Sequence, residues 1–343
     1  MVLALALPQG AAAASAAPVG AGEKVLSTLA NGRDRVTTRP RALWRVRGSR
    51  VDWTSYPIAG GYSVRAASAH YSSSQVAQVI AVLGTLPHGA EMNSLSVYVA
   101  APQEISGTCG PETLGCYYPD QGRMVVSGSN DSVAGVSRDH VIAHEYGHHI
   151  ANNRVNDLPW SPLDAGTERW ATYEHVCERT QQGSLFPGDE AAHYWQNPGE
   201  GFAESYADMT KPVTGLAWDY SPLLAPDPTA LSLIALDVTQ PWSGSGTTVW
   251  RGKLGPRHAR AVRMVGTPLD GNVTVQMSGP KDSSFALSVH GAARAHRVLL
   301  ARRSPRRRSA EQIDANVCGQ RTVQLQVHSR RGSGHFEVKI THP

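Results

Sequence analysis

The stretch DHVIAHEYGHHIANN, residues 139–153, constrains this chain more than any other. Val141, Ile142, Tyr146 and Ile150 recur at helical spacing behind a capping Ser137 or Asp139, which predicts a helix over about 138–153. His144 and His148 lie four apart on one face of that helix, so both rings can offer a nitrogen to one ion. Glu145 stands beside the first of them, where a carboxylate can take a proton from water. Two imidazoles with an open position for water favour Zn2+. Gly147 is read as leaving room beside the metal. His149 points away from the ligand face and is read as a histidine at the surface or behind a ligand.

Two histidines leave a ligand missing. An extension in the metzincin manner needs Gly at 151 and His at 154, but Ala151 and Arg154 stand there. NPGEGFAESYAD, 197–208, is the better source: Asn197 suits a helix cap and Pro198 the first helical position, predicting a helix over 198–210. Glu200 and Glu204 share a face of it, and Asp208 continues that face.

The two motif helices resemble those of the gluzincin metallopeptidases. They are closer still to lethal-factor-type proteases, whose second helix carries an ExxFAE-like pattern; the resemblance covers roughly 40 residues. It implies an α+β zincin-like catalytic fold that hydrolyses peptide bonds, with Glu145 as general base. It leaves two registers. In the preferred one Glu200 ligates zinc and Glu204 hydrogen-bonds the outer nitrogen of a liganding histidine; in the other Glu204 ligates and Asp208 stands behind it. The preference rests on Pro198-Gly199, where the chain can swing close to the metal, and on the FAE that follows Glu200. The family also places a tyrosine just upstream of the ligand to hold a developing oxyanion. Tyr194 is the nearest match, with His193 and Tyr206 as competitors. Glu168, Glu174 and Glu178 are read as scaffold acids on a helix over about 165–182.

Around these motifs, 72–84 reads as a capped helix, and 94–101 and 122–128 read as strands. The segment 123–127 is expected to be the edge strand above the cleft, where an extended peptide adds through backbone hydrogen bonds. Pro-rich text ends this unit near 245. Beyond it, NVTVQMSG, SFALSVHG, HRVLLARR, RTVQLQVHS and GHFEVKITHP alternate between turn residues, as in a β-sandwich or jelly roll. This stretch resembles the pre-peptidase C-terminal domain appended to secreted proteases. The expected organisation is a signal peptide at 1–16, a linker or short pro-segment at 17–40, a zincin-like domain at 41–245 and a β-sandwich at 246–343.

Charge divides along the same line. Residues 251–343 hold 17 Lys and Arg against 5 Asp and Glu, a net of +12, whereas the preceding residues hold 15 against 23, a net of −8. The basic unit suits an anionic cell-surface polymer. No aromatic residue interrupts the run ARRSPRRRS, 301–309, so it is read as an exposed loop and nucleic acid is not an expected partner. Four cysteines suit an exported chain: Cys109 and Cys116 flank a tight loop that a disulfide would close, and Cys177 and Cys318 either pair across the two units or stay free. After the first residues no apolar run approaches roughly 18 positions, so membrane insertion is not expected. The reading is a secreted, monomeric zinc metalloendopeptidase acting on protein or peptide. Its competitors are a zinc amidase of cell-wall peptide and a non-catalytic surface-binding protein on a zincin scaffold, for which closure by a fourth protein ligand such as His149 or His193 would argue.

Overall fold

The computed structural model describes residues 35–36, 51–111, 113–132, 135–292, 297–303 and 310–343. The expected signal peptide, most of segment 17–40 and residues 304–309 of the basic run lie outside the described residues.

The first unit contains β1 (Arg35–Val36), β2 (Thr54–Ile58), β3 (Tyr62–Ala67), α1 (Ser73–Thr85), β4 (Ser96–Ala100), α2 (Pro102–Thr108), β5 (Gly115–Tyr118) and β6 (Arg123–Ser127). A capping box starts α1: the Ser72 side chain accepts from Gln75 N, and the Gln75 side chain accepts from Ser72 N. Val76, Val79, Ile80 and Leu83, the stripe visible in the sequence, are the residues that α1 buries.

The sheet runs β1-β5-β6-β4-β3-β2, so β6 is an interior strand and the expectation of an edge strand at 123–127 is corrected. Met124, Val125 and Val126 are fully buried, as befits a strand covered on both faces. The two margins are the two-residue β1 and, at the far end, β2; β5 lies between β1 and β6, parallel to the first and antiparallel to the second. Cys116 lies within β5 and is disulfide-bonded to Cys109.

The helical half begins with α3 (Arg138–Asn152), capped by Ser137 rather than Asp139. The single helix expected over 165–182 is three short ones: α4 (Pro162–Ala165), α5 (Glu168–Tyr173) and α6 (Val176–Gln181). Gly166 at φ +82° and His175 at φ +52° interrupt it, since left-handed residues cannot continue a right-handed helix. Next come α7 (Pro198–Thr210), with Asn197 as its cap, and α8 (Pro228–Thr239). Its proline-rich surroundings hide α8 at the level of sequence. Pro228 occupies the first helical position, and the Asp227 side chain accepts from Thr229 N and Ala230 N, so these residues start a helix. Asp237 then ties α8 to α5, accepting from Thr167 Oγ1 at 2.7 Å and from Arg169 Nη1 at 2.6 Å.

The second unit is an eight-strand sandwich of β7 (Gly246–Leu254), β8 (Arg260–Gly266), β9 (Gly271–Ser278), β10 (Ser284–Ala292), β11 (Arg297–Arg303), β12 (Ala310–Val317), β13 (Thr322–Arg331) and β14 (Gly334–His342). Its sheets run β11-β10-β13-β8 and β12-β9-β14-β7. Alternate residues such as Val273, Val275, Leu325, Val327, Val338 and Ile340 fill the space between them.

Cys177 is disulfide-bonded to Cys318, so α6 and the sandwich are covalently joined across 141 residues of chain. Such a cross-link stabilises the folded state by roughly 2–5 kcal/mol. Beside it the Asp270 carboxylate accepts from Gly319 N at 2.8 Å and from Arg321 Nη1 at 2.5 Å. Asp270 N in turn donates to Thr172 Oγ1 at 3.0 Å, reaching the first unit.

Glu168 is buried at this junction and accepts from Asp157 N at 2.9 Å. Burial first, then the charges of Asp157, Asp270 and Asp237, push its pKa up from 4.5 to about 8. The folded protein therefore holds a proton that the unfolded chain releases, and this contribution to stability is lost as pH rises through that window. Wild type should lose stability relative to Glu168→Gln by roughly 1.4 kcal/mol per pH unit between those values. Denaturant unfolding of both proteins at a series of pH values checks this, and parallel curves would refute it.

Candidate metal centre

The cluster is assembled by α3 and α7, which cross in close contact. A Cβ added to Gly147 would lie 2.8 Å from Ala203 Cα. Gly147 therefore makes room for the neighbouring helix rather than for a metal, which corrects the sequence reading.

His144 Nε2 and His148 Nε2 stand 3.2 Å apart. Glu200 Oε2 is 3.3 Å from the first and Glu200 Oε1 is 3.4 Å from the second. All three residues are buried, and one ligand atom from each lies within 4.8 Å of the others. Three lone-pair donors converging in a dry place are the donor set a metal ion requires, so these residues fit a cation. Burial raises the Glu200 pKa, but the two imidazoles outweigh it and hold the carboxyl below the usual range.

Glu204 sits behind this group. His144 Nδ1–H donates to Glu204 Oε2 at 2.9 Å, which leaves the Nε2 lone pair facing inward. Its other oxygen accepts from His140 Nε2–H at 3.0 Å, while His140 Nδ1–H donates to the Lys211 carbonyl at 2.8 Å. Burial alone would raise the Glu204 pKa, yet these two hydrogen bonds draw it down to about 2. Burial disfavours the charged form of His140, but Glu204 and the Lys211 carbonyl outweigh it and raise its pKa. Asp208, Glu204 and His140 form a second group able to hold a metal ion. Burial and the Glu204 charge raise Asp208 to about 6.

Glu145 is fully buried on the sheet side of α3. A Cβ on Gly115 of β5 would meet Glu145 Oε1 at 2.9 Å, so the bare strand leaves space for the carboxylate. Tyr194 lies at the cluster, its hydroxyl donating to Glu200 Oε2 at 3.0 Å with the Tyr220 hydroxyl 3.3 Å away. Neither competitor reaches that place: Tyr206 donates to the Pro87 carbonyl, and the His193 ring is held by Asp189 and stacked on Phe186.

His149 does point away from the cluster, but it is fully buried rather than at the surface. Its Nε2–H donates to the Glu91 carbonyl at 2.9 Å, and the Tyr117 hydroxyl donates to its Nδ1 at 2.9 Å. Burial lowers its pKa to about 4, so it is a neutral packing group near neutral pH. Glu168, Glu174 and Glu178 are absent from both metal-holding groups.

Sequence reasoning missed three residues here. His140 was legible, since it precedes His144 by one helical turn on the same face. Glu190 interacts with Glu200, and burial followed by the Glu200 charge raises its pKa. Neither Glu190 nor Tyr220 carries a sequence signal, because both arrive from irregular segments.

No family model matches the chain, and no curated protein matches it in sequence. Among solved structures it is similar to the pre-peptidase C-terminal domain of collagenase from Bacillus anthracis, at 14% identity and TM-score 0.24, over 27% of this chain and 88% of that one. The mitogen from Yersinia pseudotuberculosis matches 29% of this chain and 87% of its own at 6% identity and TM-score 0.25. PirA matches 27% and 93% at 13% identity and TM-score 0.23. Among the described residues no helix is long and apolar enough to cross a membrane.

The geometry separates the two glutamates experimentally. Glu200→Ala should abolish stoichiometric metal binding, whereas Glu204→Gln should weaken it by about 10–100-fold. Metal content after dialysis against graded chelator distinguishes them, and the reverse ranking would assign the ligand to Glu204.

Proposed function

We propose that this chain is a secreted zinc-dependent metallopeptidase of gluzincin type that hydrolyses peptide bonds. The reading is carried by one observation: the inner nitrogens of His144 and His148 and the Glu200 carboxylate converge in a buried place, with Glu145 adjacent along the same helix. His144, His148 and Glu200 act as ligands. Zinc, when bound, supplies a Lewis acid that polarises a carbonyl and acidifies water.

The chain's own groups do the rest. Glu145 takes the proton of the attacking water and returns it to the departing amine. Glu204 holds His144 in the tautomer that turns Nε2 inward, and His140 holds Glu204. Tyr194 offers a hydroxyl beside Glu200 that can donate to the oxyanion of the tetrahedral intermediate. His149 and His193, the candidates for a fourth ligand, are held elsewhere by the Glu91 carbonyl and by Asp189, which supports the catalytic reading over the non-catalytic one. Two disulfides support an oxidising, extracellular setting.

Glu145→Gln should retain zinc and lower kcat/KM on a casein-derived peptide library by roughly 10²–10⁴-fold. Unchanged turnover with intact zinc would sink the mechanism. Tyr194→Phe should lower kcat by roughly 10²-fold with KM little altered. A change confined to zinc affinity would instead make Tyr194 a support for Glu200.

A further inference from the structure

We infer that the outer face of the β8–β13–β10 sheet is a binding site for an anionic polysaccharide. Along β13, Val323, Leu325 and Val327 fill the sandwich core, which turns Gln324, Gln326 and His328 to the opposite face. The strand register sets Arg260 of β8 beside His328, and Ser288 of β10 beside Gln326. Arg260, Ser288, His290, Gln326 and His328 line a groove of about 380 Å³ there. That volume falls at the lower end of the roughly 300–1,000 Å³ typical of ligand clefts.

The lining sets the ligand chemistry. Among the described residues it contains an arginine and two histidines and no carboxylate. A guanidinium binds oxyanions through paired N–H groups. The Gln326 amide and the Ser288 hydroxyl both donate and accept, which suits sugar hydroxyls. Among the described residues no Trp, Tyr or Phe lines the groove, so the broad stacking surfaces on which nucleobases and neutral sugars rest are missing there and charge carries more of the recognition. Val262 and Met264, 42% and 51% exposed, continue along β8 and offer apolar surface to the C–H face of a sugar ring. Residues 251–343 carry a net of +12, so the unit that holds the groove is strongly basic. A polymer bearing a carboxylate on each sugar complements Arg260 in the groove and the basic unit that surrounds it. The inference does not depend on the peptidase reading, because the groove lies in the other unit.

Affinity electrophoresis of the full chain through gels containing polygalacturonate, neutral dextran or duplex DNA tests it. Polygalacturonate should retard the chain and dextran should not. Arg260→Glu combined with His328→Ala should weaken retention by about tenfold. Arg260→Gln, a milder change at an exposed position, should weaken it by about threefold. Lys339→Glu, exposed on the other sheet, makes the same two-unit charge change as Arg260→Glu and should leave retention within about twofold. Absence of retention by polygalacturonate overturns the inference. Equal weakening by Lys339→Glu also overturns it, reducing the effect to net charge. Tighter binding of duplex DNA than of polygalacturonate would reassign the face to nucleic acid.

Discussion

The contact between α3 and α7 at Gly147 and Ala203 governs the metal centre. Helix axes usually lie 8–10 Å apart, at a distance set by the side chains between them. With no side chain at Gly147, the backbone of α7 comes up to α3. Glu200 and Glu204, one turn apart, then straddle His144: one faces its inner nitrogen and the other its outer nitrogen. A side chain at position 147 would displace both carboxylates together, since they ride on the same rigid helix.

A buried polar network behind α3 holds the helix in rotation. Tyr146 donates to Glu91 Oε1 at 2.8 Å, Arg154 pairs with Glu91 Oε2 at 3.0 Å and His149 donates to the Glu91 carbonyl. Burial raises the Glu91 pKa, but Arg154 and the hydrogen-bond donors outweigh it and keep the carboxylate charged. Such a network is tolerated in the interior only because each charged or polar atom meets a partner. Arg154, which excludes a third histidine at that position, thus anchors the helix end instead.

The legible parts were those that depend on spacing inside one element. The α1 stripe, the Ser137 and Asn197 caps, the pairing of His144 with His148 and the alternation in β9, β10, β13 and β14 all appear in the sequence for that reason. The misread parts depended on neighbours. A run of Met124, Val125 and Val126 cannot announce whether a strand joins its other side, and only the pairing with both β4 and β5 makes β6 interior. His175 adopts a left-handed conformation within an otherwise helical pattern, and the expected 165–182 helix divides there and at Gly166.

By itself the sequence determined the two motif helices, their histidines and glutamates, the change of texture near residue 246 and the charge contrast between the two units. Each follows from residue type and local periodicity, which backbone geometry converts into a face. Only the tertiary structure decided which glutamate meets which nitrogen, that Tyr194, Tyr220 and Glu190 gather at the same place, that His149 is buried, and that Cys177 joins Cys318. Those facts depend on the distance and rotation between elements distant in sequence. Side-chain volume at contacts such as Gly147–Ala203 sets these, and no periodicity within either element encodes them.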